Sequence, residues 1–553
     1  MGFRANPAAE RSRITPVSEE EKKSRSTAGR LRLALGALSG LLAGFAALAV
    51  AELTAAVTRP QAGPVVAVGG AAIDRTPTAV KDWAIRTFGT GDKPILQIGI
   101  VAVLTVCALA LGVLALRHRR IGAAGVLAFG AVGTAAATSR PDSTGFTDAL
   151  PSIAGAVAAA ALLHAVIGRL LAPRPAPDDS PGHAGKPLNE GWDRRGFVIA
   201  ATAAAAASAG AGALGRALSG SSGEEAVASR RSLVLPAPDS PARAVPEGAQ
   251  VRVAGVSPFI TPGKDFYRVD TALVVPRVDA TAWRLRIHGA GVRRPLTLSF
   301  DDLLERGLIE RDITLTCVSN EVGGPYVGNA RWTGVRLADL LDECGVTPPS
   351  RGGPADQLVA RSVDGMTIGS PVEDVMDGRD AMLAVGMNGE PLPFAHGFPV
   401  RMLVPGLYGY VSACKWIEDI ELTTFDAYDA YWVRRDWARR APVKTQSRID
   451  TPKPFARPKA GTVMVAGVAW AQTRGIDRVE VRVDDGPWQE TTLAAEDSRD
   501  TWRQWSFPWQ ATRGGHTLTV RATDRTGRVQ TGERTRMVPD GASGRHSVVV
   551  TVE

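Results

Sequence analysis

The chain has 553 residues, of which 22% are charged, with a net charge of +8 and four cysteines. This length exceeds that of a single domain and predicts three or four. The Lys and Arg residues are scattered or lie beside apolar runs, so the positive charge does not indicate a nucleic-acid-binding protein. Four cysteines without close CxxC spacing form neither a disulfide framework nor a tetrahedral zinc site.

Long apolar runs follow a polar, basic tail over residues 1–30, which is predicted to lie in the cytoplasm. The four runs are 31–53, 94–116, 121–139 and 150–171. Each has about the length that crosses roughly 30 Å of hydrocarbon. Buried helices of a soluble protein are the alternative, but runs this long with so few charges favour transmembrane helices. Residues 31–172 are therefore predicted to form four helices in a lipid bilayer, with their basic flanks in the cytoplasm.

Residues 173–215 are predicted to be a cytoplasmic loop and a fifth helix. Arg194-Arg195 precede an Ala-rich segment over residues 197–214. This pair has two interpretations: a basic flank of a fifth span, or part of a sequence, DRRGF, that resembles the twin-arginine export signal. Under either interpretation, the chain after about residue 215 lies outside the cytoplasm. Residues 216–250, rich in Ser, Ala, Pro and Gly, are predicted to be a linker.

From residue 251 onward, short β-rich segments alternate with turns, and residues 336–345 have the pattern of one short helix, which together favour an α+β fold. One stretch, ITLTCVSNEVGG, combines a short strand with Cys317 and a polar, glycine-rich turn. A thiolate at a strand end is suited to ligate a metal or to act as a nucleophile. The alternative for a lone cysteine is a small buried apolar side chain.

Four segments of this region occur in a characteristic order. They are SPFITPGKDFYRVDTALVVP, TLTCVSN, GNARWTGVRLADLL and MNGEPLPFAHGFPVRMLVPGLYGYVSACKWIEDI. In this order they resemble the molybdenum-cofactor domain of the sulfite oxidase family, and the resemblance covers residues 256–448. The domain itself is predicted to occupy residues 251–448.

The resemblance implies a molybdenum–molybdopterin cofactor with Cys317 as its protein ligand, and soft sulfur suits such a metal. Arg268 would join Cys317 in the catalytic centre and also contact the cofactor. The other implied cofactor contacts are Tyr267, Asp270, Asn320, Asp364, His396, Arg401, Ala413, Cys414 and Lys415. Among them, the His, Arg and Lys side chains and the backbone around residues 413–414 would hold the cofactor's phosphate.

Residues 449–553 alternate apolar and polar residues between Asp-Gly turns, which predicts an all-β, immunoglobulin-like sandwich. The resemblance implies that this is the family's C-terminal domain, which mediates dimerisation, so a homodimer is expected. Tryptophans 488, 502, 505 and 509 are interpreted as core or strand-face packing.

The sequence departs from the family where sulfite would bind. An arginine of the sulfite-oxidising members is replaced by Val322, which follows Glu321, and a tyrosine is replaced within Asp436-Trp437-Ala438. Arg474 aligns only loosely with the position of a third arginine in the sulfite-oxidising members of the family. A charged hydrogen bond is worth about 1.5–3 kcal/mol, so these changes predict weak sulfite binding.

The sequence therefore favours an oxidoreductase that transfers an oxo group to or from a less anionic small molecule, such as an S-oxide or N-oxide. A sulfite oxidase with a rearranged anion pocket is the first alternative, and a non-catalytic binding protein on the same scaffold is the second. Because the sequence lacks a haem-binding domain and an iron–sulfur cysteine cluster, we expect a separate electron-transfer partner, a cytochrome or the quinone pool.

Overall fold

The computed structural model describes residues 19–77, 92–140, 145–172 and 194–553, together with the single positions 80, 87 and 143. The chain divides into two compact units, residues 1–219 and 220–553. The predictions for residues 1–18 of the basic tail and for the loop over residues 173–193, which includes Asp193 of the export-signal pattern, lie outside the described residues.

Helices account for nearly all of the described part of the first unit. They are α1 (Glu19–Val57), α2 (Pro64–Arg75), α3 (Asp92–Arg117), α4 (Arg119–Thr138), α5 (Leu150–Leu171) and α6 (Arg194–Ser232), with 3-10 turns at Pro60–Ala62 and Phe146–Ala149. Five apolar stretches of these helices are long enough to cross a membrane: Gly29–Val57, Pro94–Arg117, Arg119–Thr138, Phe146–Leu171 and Arg195–Ser232. The five apolar segments predicted from the sequence are therefore helical.

Small residues allow the helices of the first unit to approach closely. A Cβ atom on Gly40 of α1 would lie 2.8 Å from the Cα atom of Gly112 in α3. Backbones packed this closely are typical of helix pairs in membranes, where small residues replace the hydrophobic driving force. An ion pair between Arg59 and the buried Asp148, at 3.1 Å, joins two of the helix connections.

The structure corrects the predicted linker over residues 216–250. Helix α6 continues to Ser232, because the sequence EEAVASRRS supplies good helix formers and, as part of the second unit, contacts other residues of that unit. Ala226 is fully buried, and the Arg230 guanidinium donates hydrogen bonds to the carbonyls of Pro391 and Leu392 at 2.8 and 2.7 Å. The rest of the predicted linker is irregular, and Ser240 bridges to Ile309.

The next part of the second unit contains two sheets and four short helices. Its strands are β1 (Arg284–Gly289), β2 (Leu296–Ser299), β3 (Leu308–Thr316), β4 (Val327–Arg336), β5 (Gln357–Ser362), β6 (Thr367–Pro371), β7 (Met382–Met387), β8 (Glu390–Pro391), β9 (Arg401–Leu403) and β10 (Ile417–Thr423). Its helices are α7 (Phe300–Leu304), α8 (Leu337–Glu343), α9 (Val372–Met376) and α10 (Gly409–Ser412), with 3-10 turns at Pro349–Arg351, Phe394–His396 and Val433–Arg435. One sheet has the order β2-β1-β10-β5-β6, and the other has β3-β4-β7-β8 with β9 paired to β7.

Local sequence patterns account for several of these elements. Strand β1 alternates exposed arginines with the fully buried Leu285 and Ile287. Helix α8 buries Leu337, Leu340 and Leu341, and Gly345 follows it in the left-handed conformation, as predicted for residues 336–345. Strands β1 and β10 are parallel and the other pairs are antiparallel, which is an α+β arrangement.

The C-terminal part is all-β. Its strands are β11 (Gln446–Thr451), β12 (Gly461–Trp470), β13 (Ile476–Val483), β14 (Gln489–Glu490), β15 (Thr492–Leu493), β16 (Arg503–Ala511), β17 (Gly514–Asp524) and β18 (His546–Val552). They form sheets β11-β12-β16-β15 and β14-β13-β17-β18, whose inner faces share one hydrophobic core. Trp505 and Trp509 lie in this core, whereas Trp502 belongs to the core of the preceding α+β part.

Candidate functional site

Cys317 follows β3 directly and lies at the start of a tight loop. Its amide donates to the Tyr326 carbonyl at 3.0 Å, and its Sγ accepts a hydrogen bond from the Ser319 amide at 3.4 Å. The Asn320 side chain closes the loop by accepting from the Tyr326 amide at 2.8 Å. The residue is buried, and burial raises the pKa of the Cys317 thiol, although the Ser319 amide and the charge of Lys415 oppose this. A cation bound at the sulfur would favour the thiolate.

Two residues of the C-terminal strands, Arg448 and His546, contact this loop. Gly323 has a φ of +81°, and a side chain there would overlap the ring of His546. Arg448 donates to the Gly324 carbonyl at 2.9 Å and to the Asp450 carboxylate at 2.7 Å. The position of the cysteine therefore depends on strands that lie more than 100 residues later in the sequence.

Tyr267 lies beside the end of β3. A Cβ atom on Gly409 would lie 3.8 Å from the carbonyl of Thr316 and 3.9 Å from the Tyr267 hydroxyl. Burial raises the pKa of Tyr267, and the neighbouring Cys317 and Arg401 act on it in opposite directions. Tyr267 is therefore within electrostatic reach of both the Cys317 thiol and the Arg401 guanidinium.

Asp270 joins two of the predicted cations. Its carboxylate accepts from Arg268 at 2.9 Å and from the Lys415 ammonium at 2.8 Å. Lys415 also donates to the Ala395 carbonyl at 3.3 Å. The Lys415 side chain is only 8% exposed, whereas that of Arg268 is 37% exposed. Burial lowers the pKa of Lys415 to about 8, although Asp270 opposes this shift.

Arg401 is the most isolated charge of the cluster. It is buried, lies 5.2 Å above the Trp332 ring and donates to the His396 carbonyl at 3.5 Å. Within the described part of the chain it pairs with no carboxylate, and its Nε has no acceptor. Burial lowers the pKa of Arg401 to about 10. A buried guanidinium without a counter-ion is costly, so this side chain is suited to an anionic ligand.

His396 is placed next to these cations by the 3-10 turn Phe394–His396. Its Nε2 donates to the Gly263 carbonyl at 3.0 Å. Burial and the charge of Arg401 lower the pKa of His396 to about 4, so the ring is neutral at pH 7. Gly397 follows with a φ of +112°, and a Cβ there would lie 3.1–3.2 Å from the side chains of Lys415 and Arg401. Glycine is thus required for the close approach of the two cationic residues.

The remaining predicted contacts lie nearby but point to structural roles. Cys414 is fully buried, and its sulfur contacts the Lys415 carbonyl at 3.8 Å. The Ala413 amide donates to the Gly409 carbonyl at 2.9 Å. Asp364 accepts from the hydroxyl of Thr271, at 3.4 Å. Each predicted role in cofactor binding stays a prediction.

The positions that depart from the sulfite-oxidising pattern are also visible. Glu321 is exposed and Val322 is half-buried on the cysteine loop. Trp437 packs against Tyr410, with ring centroids 5.5 Å apart. Arg474 is paired with Asp524 at 2.9 Å, so its charge is already matched by a carboxylate of the C-terminal strands.

Several supporting residues were not predicted from the sequence. They are Trp332, whose ring lies beneath Arg401, and Arg448 and His546, which belong to no motif. Their contacts join segments that are far apart in the chain, so only the folded arrangement reveals them.

The donor set fits a molybdopterin. Buried Arg401 and Lys415 suit a phosphate, and the orphaned Nε of Arg401 supplies an unused donor. The thiol of Cys317, buried and within electrostatic reach of Lys415, suits a soft metal. The thiol is within electrostatic reach of Lys415, and Tyr267 is within reach of both the thiol and Arg401.

Comparison with known proteins agrees with this chemistry. The family model for the oxidoreductase molybdopterin binding domain matches residues 272–432. Mitochondrial sulfite oxidase of Mus musculus is 32% identical over 293 residues, which cover 46% of this chain and 53% of the relative. The uncharacterized oxidoreductase YuiH of Bacillus subtilis (strain 168) is 32% identical over 162 residues, which cover 29% of this chain and 75% of the relative.

A solved structure, the sulfane dehydrogenase SoxCD from Paracoccus pantotrophus, matches at 26% identity with a TM-score of 0.46, covering 55% of this chain and 85% of that chain. The chain spans about half the length of the sulfite oxidases that it matches. The family match and the relatives imply a molybdopterin cofactor. With most of YuiH covered at 32% identity, the chain belongs to the sulfite oxidase family of molybdopterin-binding oxidoreductases.

Proposed function

We propose that this chain is a membrane-anchored molybdopterin oxidoreductase that transfers an oxo group to or from a small S-oxide or N-oxide, with its active site outside the cytoplasm. The observation that carries the proposal is the buried pair Arg401 and Lys415: Arg401 pairs with no carboxylate of the described residues, and Lys415, which shares Asp270 with Arg268, lies within electrostatic reach of the thiol of Cys317. A buried thiol near buried cations that are only partly neutralised is the combination that a metal-bearing phosphorylated cofactor requires.

Each residue has a specific role in this proposal. Cys317 holds the metal, Arg401 and Lys415 hold the phosphate, and Asp270 orients Lys415 and Arg268. Tyr267, Asn320 and Asp364 line the pterin side, with His396 and the 413–414 backbone next to the phosphate. The cofactor supplies two-electron oxo-transfer chemistry when bound. The protein excludes water through its buried walls and positions the substrate at the exposed edge of Arg268.

The charges at the cysteine loop support a weakly anionic substrate. Glu321 and Val322 occupy the loop where a sulfite site would require cations, and Arg474 is neutralised by Asp524. Only Arg268, which is itself paired with Asp270, offers a partly exposed guanidinium. A neutral S-oxide or N-oxide needs one hydrogen-bond donor at its oxygen, which Arg268 supplies.

Sulfite oxidation is the second candidate. Two observations favour it: relatives with 29–32% identity are named sulfite oxidases, and the Arg268 side chain is 37% exposed. The alternative of a non-catalytic binding protein is disfavoured because Cys317, Arg401 and Lys415 lie together at one site.

Membrane anchoring is supported by the five long apolar helices and by apolar side chains that face outward on them. Val106 of α3 is 66% exposed and Val132 of α4 is 59% exposed, as expected for lipid-facing positions. If all five helices span, the chain after about residue 215 lies on the side of the membrane opposite the basic tail. Of the two interpretations of Arg194-Arg195, a basic flank of the fifth helix or a twin-arginine signal, the proposal takes the second.

The two C-terminal sheets with their shared core support an immunoglobulin-like domain, through which a homodimer is proposed.

A separate electron partner, a cytochrome or the quinone pool, completes the proposal. The described residues contain no cluster of three or more His, Cys, Asp or Glu side chains suited to a metal ion. The cofactor would therefore exchange electrons with another molecule.

The experiment is metal and pterin analysis of the purified full-length protein, followed by turnover assays. We expect about one molybdenum and one pterin per chain. We also expect S-oxide or N-oxide reduction by an artificial electron donor to exceed sulfite-dependent reduction of an artificial acceptor. A protein without molybdenum, or a loaded protein with no turnover, would contradict the proposed reaction.

The substrate is tested by a matched pair of variants. Val322→Arg should lower the KM for sulfite roughly ten-fold, since it restores one charged donor, whereas Val322→Gln should not. A wild-type protein that already prefers sulfite would establish the second candidate instead.

A further inference from the structure

Three arginines surround one tryptophan on the outer face of the sheet β14-β13-β17-β18. The Cζ atoms of Arg482, Arg521 and Arg545 lie 5.1, 4.3 and 5.1 Å from the ring centroid of Trp488. They come from β13, β17 and the residue before β18, and Trp488 lies just before β14. All four side chains are half-buried. We call this group the arginine–tryptophan cluster.

The positive charge of the cluster is mostly unbalanced. Arg521 forms a two-point contact with Glu480, at 2.8 and 3.0 Å. Arg482 and Arg545, in contrast, donate no side-chain hydrogen bond to any residue that the structure describes, and the Nε of each is buried. Burial and the neighbouring charges of Arg521 and Arg482 lower the pKa of Arg545. Two half-buried guanidinium groups, each with a buried Nε that has no partner, therefore lie side by side, and the nearby Glu480 carboxylate is already held at two points by Arg521.

Such crowding is unfavourable in the isolated chain. Stacking on the indole offsets part of the cost, since a cation over an aromatic face is attracted by the ring. The buried Nε–H groups of Arg482 and Arg545 still lack acceptors among the described residues, and a buried donor without a partner costs more than a made hydrogen bond returns. An anion at this face would remove that cost.

The chemistry of the cluster favours carboxylates. Glu480 already shows how a carboxylate fits one of these guanidinium groups, with two parallel hydrogen bonds to Arg521. A second copy of the chain, with its net charge of +8, is a poorer match for a cationic cluster than an acidic protein is. The occupant is therefore a different molecule that carries several carboxylates.

We propose that the arginine–tryptophan cluster is a docking site for an acidic protein partner, whose Asp or Glu side chains pair with Arg482 and Arg545. The site lies on the C-terminal sheets and does not depend on the reaction proposed above. Electrostatic complementarity of this kind speeds association and makes binding sensitive to salt.

The test uses the full-length protein in nanodiscs of zwitterionic lipid and a fluorescein-labelled polyglutamate peptide as the probe. Binding is measured by fluorescence anisotropy at low and at physiological salt. We expect saturable binding that weakens with salt and that falls by at least about ten-fold in the double variant Arg482→Gln/Arg545→Gln. The control is Arg513→Gln/Arg528→Gln, which removes the same charge from exposed positions next to β17 and should bind like the wild type.

Thermal unfolding of the same variants distinguishes docking from a structural role. If the cluster is a docking site, the double variant should melt at or above the wild-type temperature, because two unpaired cations have been removed. A lower melting temperature together with unchanged peptide binding would overturn the proposal. Equal loss of binding in the control pair, displacement of the peptide by sulfate at matched ionic strength, preference for anionic lipid vesicles over the peptide, or self-association that requires Arg482 would each overturn it as well.

Discussion

The two halves of the candidate site differ in how completely the chain satisfies them. In the cysteine loop, each polar group that positions Cys317 has a partner within the protein, from the Ser319 amide to the Asn320 side chain. The other half, the cation pocket, consists of Arg401, Lys415, Arg268 and Asp270. Arg401 has no carboxylate among the described residues, and Lys415 shares Asp270 with Arg268. The protein itself therefore satisfies the polar groups of the loop but not all the charges of the pocket.

This difference separates binding from chemistry. A buried cation without a counter-ion raises the free energy of the cofactor-free protein, and an anionic ligand recovers that energy on binding. The cation pocket is therefore expected to supply affinity, whereas the satisfied loop around Cys317 supplies the metal ligand and little affinity. Substitutions in the two halves should then have separable effects.

The largest effect is expected for Cys317→Ser. Turnover and the visible absorption of a thiolate-bound metal should be lost, because the hydroxyl is a poor soft-metal ligand, while the pterin content should stay near that of the wild type. The measurements are oxo-transfer activity, the absorption spectrum and pterin fluorescence after release. Cys344→Ala, which changes a buried cysteine at the end of α8, is the control and should keep all three. Loss of pterin together with activity would show that the loop also supplies affinity.

Arg401→Met should have the opposite signature. Without this donor to the phosphate, the pterin content should fall roughly ten- to hundred-fold under limiting cofactor supply, since a charged hydrogen bond is worth about 1.5–3 kcal/mol. The cofactor-free variant should be as stable as the wild type or more so, because an unpaired buried charge has been replaced by an apolar chain. Denaturant unfolding and pterin release measure the two quantities. Arg401→Lys should retain part of the binding, and a less stable Met variant would show that Arg401 is mainly a packing residue over Trp332.

Local patterns predicted much of the fold. The apolar runs predicted the helices that include the five candidate spans, and the spacing of Leu337, Leu340 and Leu341 predicted α8, because both signals are contained within one element. The end of α6 was missed for the converse reason: the Gly and Ser content near residue 220 favours a loop, and the packing of Ala226 and Arg230 that outweighs it involves residues more than 100 positions away.

The site was predicted unevenly for the same physical reason. Order and spacing of segments indicated Cys317, Arg401 and Lys415, but not that one carboxylate, Asp270, serves two cations, since that pair is formed by the fold. The clustering of three arginines on Trp488 could not be read from sequence, because it combines one side chain from each of three strand regions. Trp488, predicted to pack in the core or on a strand face, lies just before β14, and its ring is surrounded by charged side chains.

The pH dependence of stability tests the cation pocket directly. In the folded, cofactor-free protein, burial lowers the pKa of Lys415 to about 8, from 10.5. Between these values the unfolded chain holds a proton that the folded protein has released, so stability rises with pH from about 8 to 10.5. The gain should approach roughly 3 kcal/mol at about 1.4 kcal/mol per pKa unit.

Denaturant titrations at the two ends of this range should show the gain in the wild type and not in Lys415→Met, which corrects for other groups that titrate there. A variant that gains as much as the wild type would assign the effect to a different residue. Binding of the cofactor phosphate should abolish the dependence, since it supplies the missing counter-ion.

The smallest effect is expected at Arg230, which tests how far the cation pocket extends. Its guanidinium donates to the carbonyls of Pro391 and Leu392, directly before the turn whose Ala395 carbonyl accepts from Lys415. Arg230→Gln should lower pterin retention by roughly three- to ten-fold, because the turn loses two hydrogen bonds worth about 1 kcal/mol each at a half-buried position. Arg231→Gln, one residue on and exposed, should have no effect. Equal retention in both variants would show that the pocket is positioned by its own packing, without help from the helix.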